Sequence, residues 1–301
     1  MAAKKVLRRF ALSPARDIPM LIFLWRWKFA PTAVLWKRFF SKTAPHTAYN
    51  RLWSLGKSGI LQRRVNKTGK HSVWTLTRLG FHVIQKYLPP LKSDNIESEN
   101  LIHDLLVNAF HLGSGSTPLP ESIELISEQE LRAVDEDFLP KWIPNPKIEN
   151  DGLYYHRPDG YWRVRHRGEQ IAIALEIELS RQSIARYDEI IEFYRDHQEI
   201  VRILWAVKNL RLAKYLDHRI RETDKNENDA HNFLAVDDLI LKGWKAKIIY
   251  GPEVGKTPAS ILGPSPDANS DDHLSSCFLD TRKQPYKSNA YSNPNSAGIF
   301  V

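Results

Sequence analysis

The chain has 301 residues, of which 42% are hydrophobic and 26% charged. This balance is typical of soluble globular proteins, and the length corresponds to about two domains. The longest apolar run near the start, residues 18–25, is far shorter than the roughly 20 residues that span a bilayer, so we expect no membrane insertion. The single cysteine, Cys277, excludes an intramolecular disulfide framework and a zinc site of several thiolates. A cytoplasmic location is the expectation that fits these features.

Charge is distributed unevenly along the chain. Residues 1–92 contain 19 Lys or Arg and one acidic residue, Asp17, and carry +18; the rest, with 24 basic and 34 acidic residues, carries −10. A segment with such an excess of positive charge repels itself unless it meets a polyanion. Nucleic acid is therefore the partner expected first, and an anionic membrane surface is the weaker alternative.

Composition and periodicity divide the chain into sections. These are a basic arm (1–15), a mainly helical domain with one hairpin (16–92), an α/β domain (96–250) and a tail (251–301). Pro89 and Pro90 begin the linker between the two domains. The tail is rich in Pro, Ser, Asn and Gly and lacks apolar periodicity, so we expect it to be disordered.

Apolar residues at helical spacing predict three helices in the first domain. The first helix extends as far as Phe29, and the second begins at Pro31, where a missing N–H costs nothing. The third helix is capped by Thr43 and ends at Gly59.

A β-hairpin with a basic tip is predicted next, from residues 60–65, a turn at 66–70 and residues 72–77, and a further helix follows. Three helices, a hairpin and a closing helix are typical of a winged helix-turn-helix domain, whose third helix fits the major groove of DNA. Such a module can instead contact protein, but the charge of +18 favours duplex DNA. The expected DNA contacts are His46, Thr47, Asn50, Arg51, Arg63, Arg64, Lys67, Lys70 and His71.

The second domain is predicted to alternate helices and strands. Its predicted order is a helix (96–112), a strand (122–126), strands around a turn (151–164), a strand (170–179), a helix with an apolar stripe (184–194), a strand (200–207), a helical region from about 210 and a last strand (244–250). We therefore expect a sheet covered by helices.

Two carboxylates end the most apolar of these strands. Residues 171–175 are all apolar and run directly into Glu176-Ile177-Glu178. A strand buried on both faces carries charged groups at a cost unless they are paired or bind a cation. Because the two glutamates are two residues apart, we expect both on one face of the sheet.

This order of elements resembles the PD-(D/E)XK nuclease core. With the predicted winged helix ahead of it, the chain is similar to the replication-relaxation family and, within that family, to the MobC-type plasmid mobilisation relaxases. The resemblance covers about residues 16–250. It rests on His103-Asp104, on Pro158-Asp159-Gly160 and on residues 174–178 followed by 180–183 and 186–187. It implies an α/β fold with an α+β appendage, in which a winged helix-turn-helix precedes a restriction-endonuclease-like domain and a disordered tail.

The resemblance also implies an activity, namely metal-dependent nicking or relaxing of DNA at an origin of transfer or replication, as in plasmid mobilisation and conjugation. Mg²⁺ or Mn²⁺ would be held by Asp159 and Glu176, with Glu178 as a third ligand or an orienter of water. His103 would act as a ligand or a proton shuttle. Double-stranded DNA and other relaxosome proteins would be the partners.

The sequence departs from the nuclease motif at Glu178, where a lysine normally stands, and no lysine occurs at residues 148–207. Arg181, Gln182 or Arg186 could supply the polar group, although an arginine cannot act as a base. The missing lysine favours an alternative, namely a non-catalytic DNA-binding regulator of replication or transcription, or a relaxosome accessory protein. The retained carboxylates favour the enzyme.

Overall fold

The computed structural model describes residues 11–65, 72–93, 96, 100–112, 123–144, 156–166, 169–224 and 230–262. The fold is mixed α/β, with a three-stranded sheet near the N-terminus and a six-stranded mixed sheet after it. The predicted DNA contacts Lys67, Lys70 and His71 lie outside the described residues. Most of the predicted basic arm and tail also lies outside them.

The N-terminal region comprises residues 17–87. Its elements are α1 (Asp17–Arg26), β1 (Phe29–Pro31), α2 (Thr32–Phe39), α3 (Pro45–Lys57), β2 (Leu61–Val65), β3 (Ser72–Leu76), α4 (Arg78–Ile84) and a 3-10 turn (Gln85–Tyr87). β3 lies between β1 and β2, antiparallel to both. The predicted helices, hairpin strands and closing helix are thus confirmed as elements.

Three local predictions in this region are wrong. α1 ends at Arg26, and Phe29 begins β1 instead of extending the helix. Pro31 ends that strand in an extended conformation and precedes α2. Both differences have one cause: Lys28, with φ of 61°, turns the chain out of the helix, which periodicity does not reveal.

The third wrong prediction concerns the start of α3. Ala44 occupies the cap position and no side chain caps the helix. The Thr43 hydroxyl instead donates to the carbonyl oxygen of Phe40, 2.8 Å away. Pro45 opens the helix as predicted, and Gly59, with φ of 76°, follows its end.

The second region follows the predicted order of helix, strands, helix and strand, with one short helix inserted after the first strand. Its elements are α5 (Leu101–Leu112), β4 (Ile123–Ser127), α6 (Glu128–Ala133), a 3-10 turn (Glu136–Phe138), β5 (Gly160–His166), β6 (Glu169–Glu178), α7 (Ile184–Asp196), β7 (Ile200–Val207), α8 (Leu210–Thr223), β8 (His231–Ala235), α9 (Val236–Lys242), a 3-10 turn (Gly243–Lys245), β9 (Ile248–Tyr250) and α10 (Pro258–Leu262). Most of the strand predicted before the turn at 157–160 lies outside the described residues.

Several boundaries in the second region differ from the prediction. α5 begins at Leu101 because Asn100 accepts hydrogen bonds from the following backbone N–H groups. The last strand comprises only β9. α6 and β8 were not predicted, whereas α9 lies within the helical region expected from about residue 210. β8 was not predicted because it opens with polar residues, which give no apolar pattern. Of these, His231 is nonetheless buried, and it accepts a hydrogen bond from the Trp205 indole. The chain beyond residue 250 is not all tail, since α10 buries Ile261 in the core.

The large sheet has the order β4-β5-β6-β7-β8-β9. β4, β5 and β6 are antiparallel, whereas β6, β7 and β8 are parallel. Ser127 is opposite Gly160, and Gly160 is opposite Leu175, so the end of β4, the start of β5 and the end of β6 meet. We call this end of the sheet, with Glu128, Asp159, Glu176 and Glu178, the carboxylate edge.

Helices cover the large sheet on both faces. α5 and α9 pack on one face, together with the apolar residues of the N-terminal region, and α7 and α8 pack on the other. Of the helices in the described ranges, none combines the length and hydropathy required to cross a bilayer.

Alternate residues of β6 contribute to the two cores. Ile173, Leu175 and Ile177 belong to the core beneath α5, whereas Ala174 belongs to the core beneath α7. Because side chains along a strand point alternately to opposite faces, Glu176 and Glu178 fall on the α7 face. The end of the most apolar strand thus carries its two acids toward α7.

The two regions are joined by direct contacts, not only by the predicted linker. The amide of Asn108 in α5 donates to the carbonyl oxygens of Trp27 and Phe29, at 3.1 and 3.2 Å. Arg26 donates to Glu130 at 2.7 Å. The segment after α1 is thus held against the second region, and it brings Lys28 to the carboxylate edge.

Candidate functional site

Glu176 lies at the α7 face of the carboxylate edge and is 6% exposed. Its Oε1 accepts a hydrogen bond from the Tyr194 hydroxyl and lies 2.6 Å from Nε2 of His156. Burial and the charge of Glu176 raise the pKa of Tyr194 well above its usual range, so this phenol stays a neutral donor. The prediction that Glu176 and Glu178 share a face is confirmed.

His156 was not singled out by the sequence, although it precedes Asp159 by three residues. It is buried, and its Nδ1 lies 3.3 Å from the guanidinium of Arg186. Because a guanidinium only donates, Nδ1 must accept, and Nε2 carries the proton given to Glu176. Arg186 therefore reaches the predicted site through His156, and its other contact is Glu189 at 3.0 Å.

Glu178 is also 6% exposed, and its Oε1 accepts from the backbone N–H of Ser180 at 3.3 Å and from the Gln182 amide at 3.4 Å. Burial raises the pKa of Glu178 to about 7, and the charge of Glu176 adds to this effect, despite those hydrogen bonds. Within the described part of the chain, no Lys, Arg or His forms an ion pair with Glu178. The structure thus brings the predicted residues Glu178 and Gln182 together.

Asp159 stands at the start of β5, on the α5 side. Its Oδ2 accepts from the backbone N–H of Ile177 at 2.7 Å, and its Oδ1 lies 3.1 Å from Nε2 of His103. The predicted residues Asp159 and His103 are therefore in contact. The bond to Ile177 places Asp159 beside the middle of the Glu176-Ile177-Glu178 segment.

The backbone around Asp159 is held by His111, which the sequence also failed to indicate. His111 is completely buried, which lowers its pKa to about 3, so its imidazole is neutral. Trp162 donates to Nδ1, and Nε2 donates to the Asp159 carbonyl oxygen 3.2 Å away. A Cβ at Gly160 would lie 2.2 Å from that Nε2, so this close approach requires glycine.

A second group of carboxylates lies on the α5 face. Ligand atoms of His103, Asp104 and Glu128 all lie within 4.8 Å of one another. The Lys28 ammonium already lies between two of them, 3.0 Å from Asp104 and 3.3 Å from Glu128. Glu128 also contacts Arg132 at 2.6 Å. This group is therefore compensated by the protein's own cations.

The charge of His103 adds to that compensation. Burial alone would lower its pKa, but hydrogen bonds to the carboxylates of Asp104 and Asp159 raise the pKa of His103 to about 10. The imidazole is thus charged at neutral pH. A charged imidazole does not bind a metal ion, since metal ligation needs the neutral ring.

Lys28 reaches this group from the N-terminal region. It is 8% exposed and is the one non-glycine residue of the described chain with a positive φ. A residue held in the left-handed region costs about 1 kcal/mol or more. Its contacts with two buried carboxylates offset that cost.

In the described residues, the group of close ligand atoms around His103 has no counterpart at the other acids. In this part of the chain, no such group is formed by Asp159, Glu176 and Glu178. Their carboxylate oxygens still fit the chemistry of Mg²⁺ or Mn²⁺. In sites that act on phosphates, Mg²⁺ is held by one or two carboxylates plus waters and substrate phosphates. Glu178, which has no cationic partner among described residues, fits that role better than the group around Lys28.

The predicted DNA contacts in the described part are mostly on the surface. His46 and Asn50 are exposed, Thr47 is half-buried, and Arg63 and Arg64 lie on β2. Arg51 differs, because its guanidinium bonds the buried carboxylate of Asp17 and the Ala11 carbonyl oxygen. Arg51 is thus engaged inside the N-terminal region.

The carboxylate edge combines buried acids, a histidine held neutral by burial, a charged histidine and an embedded lysine.

Comparison of the chain with protein families, with curated proteins and with solved structures found no match. The proposed function therefore rests on the geometry of the carboxylate edge and of the basic N-terminal region.

Proposed function

We propose that the protein binds duplex DNA through its basic N-terminal region and nicks or relaxes that DNA at the carboxylate edge with Mg²⁺ or Mn²⁺. The observation that carries this proposal is the 2.7 Å hydrogen bond from the Ile177 N–H to Asp159. It joins the Pro158-Asp159 turn to the Glu176-Ile177-Glu178 segment, as the resemblance to PD-(D/E)XK nucleases implies.

The arrangement of the N-terminal region supports DNA binding. α1, α2 and α3 precede the β2–β3 pair and α4, which is the order of a winged helix-turn-helix domain. Ala48, Leu52 and Leu55 bury one face of α3 and leave His46 and Asn50 exposed. With +18 on residues 1–92, the exposed face of α3 and the hairpin would contact bases and phosphates.

The arrangement of the second region supports the nuclease-like assignment. From α5 to β7 the order is an α-helix, three antiparallel strands, a long helix and a strand parallel to the third, with the short α6 inserted between β4 and β5. The resemblance to the PD-(D/E)XK core implies this succession. Fold alone does not establish activity, so the acids at the edge carry the functional argument.

The residues at the edge have separate parts in this proposal. Glu176 and Glu178 on the α7 face would hold the cation, and Asp159, bonded to the Ile177 N–H between them, would complete its ligands from the start of β5. The cation would supply stabilisation of charge on the scissile phosphate and activation of water. Glu178, whose pKa burial raises to about 7, would bind the cation in its ionised form, so binding near neutral pH would release a proton. His103 holds Asp159 in place, and His156 holds Glu176.

A plasmid assay tests this function. Supercoiled plasmid carrying the DNA that flanks the protein's own gene is incubated with the full chain, with and without Mn²⁺. We expect open circles only with Mn²⁺, and about 100-fold slower nicking by D159N and E178Q. The matched control is E192Q, because Glu192 is exposed on α7. Equal nicking by all four proteins would contradict the proposal.

A second candidate is a DNA-binding protein without catalysis, such as a regulator of replication or transcription or a relaxosome accessory protein. Lys28 favours it, because this lysine neutralises Asp104 and Glu128 where a cation would otherwise bind. The absence of the motif lysine at position 178 also favours it. Tight DNA binding with no nicking in Mg²⁺ or Mn²⁺ would establish this candidate and exclude the first.

A further inference from the structure

The second region carries exposed cations at the carboxylate edge, although its net charge is negative. Arg157, Arg181, Lys208 and Arg211 are all exposed. None of the four forms an ion pair with a residue in the described ranges. We call these four residues the basic rim.

The members of the basic rim surround the acids. Arg157 precedes Asp159 by two residues. Lys208 follows β7, and its backbone N–H donates to the carbonyl oxygen of Glu178 at 3.3 Å. Arg211 is the second residue of α8, the helix that follows β7.

Arg181 joins the same patch through an aromatic contact. Its guanidinium carbon lies 3.9 Å from the centre of the Tyr215 ring. Tyr215 follows Arg211 by four residues on α8, so the two lie on the same side of that helix. Arg181, three residues before α7, is thereby held against α8 on the side of that helix where Arg211 lies.

Several other arginines of the second region are paired, in contrast to the rim. Arg163 contacts Glu124, Arg195 contacts Asp196, and Arg202 contacts Glu253, all within 4 Å. Beyond β8 the edge becomes acidic, with Asp237 and Asp238 in the first turn of α9. Exposed cations without an ion pair in the described ranges also occur elsewhere, for example Arg165 and Lys247, but the four rim residues lie beside β5, β6 and β7, where the acids of the proposed site lie.

The helices that begin here add to the positive potential. α7 and α8 contain 13 and 14 residues, and both start at the carboxylate edge. The N-terminus of a helix carries the positive end of its dipole, which favours an anion. Exposed Ile184 and Leu210 in the same first turns offer apolar surface to a sugar or base.

We infer that the basic rim is a second DNA-contacting surface, which binds phosphates of the strand that lies at the carboxylate edge. This inference rests on the proposed function and extends it, because it assigns phosphate contacts to the part of the chain after residue 92, whose net charge is −10. The N-terminal region would anchor the duplex, and the rim would hold the strand near Glu178.

Binding of the full chain to a labelled duplex of about 30 base pairs, measured by fluorescence anisotropy at several salt concentrations, tests the rim. R181Q/R211Q should lower the slope of log K against log salt by about 2 and weaken binding about tenfold near 0.1 M salt. K208Q/R211Q, which leaves the contact between Arg181 and Tyr215 intact, should give the same change. The matched control, R165Q/R195Q, removes two arginines from the opposite end of the sheet and should bind as the wild type does.

R63Q/R64Q separates failure of the rim from failure of the proposed function. If this variant weakens binding while both rim variants match the control, the rim is refuted and DNA binding by the N-terminal region stands. If the wild type does not bind the duplex, both proposals are refuted. Thermal unfolding of each variant confirms that a change in affinity does not come from loss of the fold.

Discussion

The two faces of the carboxylate edge are equally buried but differ in how their charges are compensated. On the α5 face, Lys28 lies between Asp104 and Glu128, and a charged His103 contacts Asp159. On the α7 face, Glu178 accepts hydrogen bonds only from neutral groups in the described structure. A buried carboxylate without a positive neighbour is costly to ionise. The α7 face is therefore where a cation from outside the protein would be favoured.

The titration of the two faces shows the same difference. Carboxylates raise the pKa of His103 to about 10 although its burial opposes this, and burial raises the pKa of Glu178 to about 7. At neutral pH the α5 face thus keeps a proton on the His103 imidazole, whereas Glu178 on the α7 face is divided between its protonated and ionised forms. The compensating lysine comes from the N-terminal region, so the difference depends on how the two regions pack.

Removal of the Lys28 ammonium group should cause the largest loss of stability. Lys28→Met leaves Asp104 and Glu128 buried without their shared ammonium group, and we expect a loss of about 3–5 kcal/mol in the free energy of unfolding. Urea unfolding measures this loss. Lys57→Met, at an exposed position on α3, is the matched control and should change stability by less than about 0.5 kcal/mol.

A double variant sharpens that prediction. E128Q removes one of the two charges that Lys28 compensates, so K28M/E128Q should recover part of the stability that K28M loses. Additive losses would show that the ammonium does not interact with Glu128, and the comparison of the two faces would then fail.

Removal of the charged His103 imidazole should cause the next largest loss of stability, and the size of this loss should depend on pH. His103 has a folded-state pKa of about 10 against 6.5 when unfolded, so its contribution is complete below pH 6.5 and is lost as pH rises to 10. His103→Gln should cost about 2 kcal/mol at pH 6 and little at pH 10. His218→Gln is the control, because His218 is exposed. A cost that is constant from pH 6 to pH 10 would contradict a charged His103.

Replacement of Glu178 should change the stability of the protein in the opposite direction. Its folded-state pKa of about 7 exceeds the ordinary value of 4.5, so its contribution favours folding at low pH and is lost as pH rises from 4.5 to 7. Glu178→Gln should therefore stabilise the protein by about 2 kcal/mol at pH 8 and change little at pH 4.5. Urea unfolding at both pH values, with E192Q as control, measures this. Destabilisation at pH 8 would show that Glu178 is compensated after all.

Local patterns predicted the part of this site that lies within single elements. The apolar run of β6 predicted a buried strand, and the spacing of Glu176 and Glu178 predicted their shared face. The contact between His103 and Asp159 followed only from the resemblance, since these residues are far apart in the sequence. Periodicity predicted most of the elements but not the contacts between them.

The remaining features depend on tertiary contacts that no local pattern shows. Lys28 lies 76 residues before Asp104 in the sequence. Helical periodicity places Lys28 within the first predicted helix, whereas in the structure its positive φ turns the chain away after the end of α1. His156 and His111 act through Glu176 and the backbone of Asp159, and neither belongs to a periodic pattern. β8 was missed because its buried His231 is polar and is satisfied by a distant indole.

Binding of Mn²⁺ to the full chain, followed by the electron paramagnetic resonance signal of the free ion, tests the difference between the two faces most directly. We expect the wild type, E128Q and E192Q to bind Mn²⁺ alike, and E178Q to bind it at least about tenfold more weakly. Loss of Mn²⁺ binding in E128Q with full binding in E178Q would place the cation beside Lys28 and contradict the assignment of the cation to the α7 face.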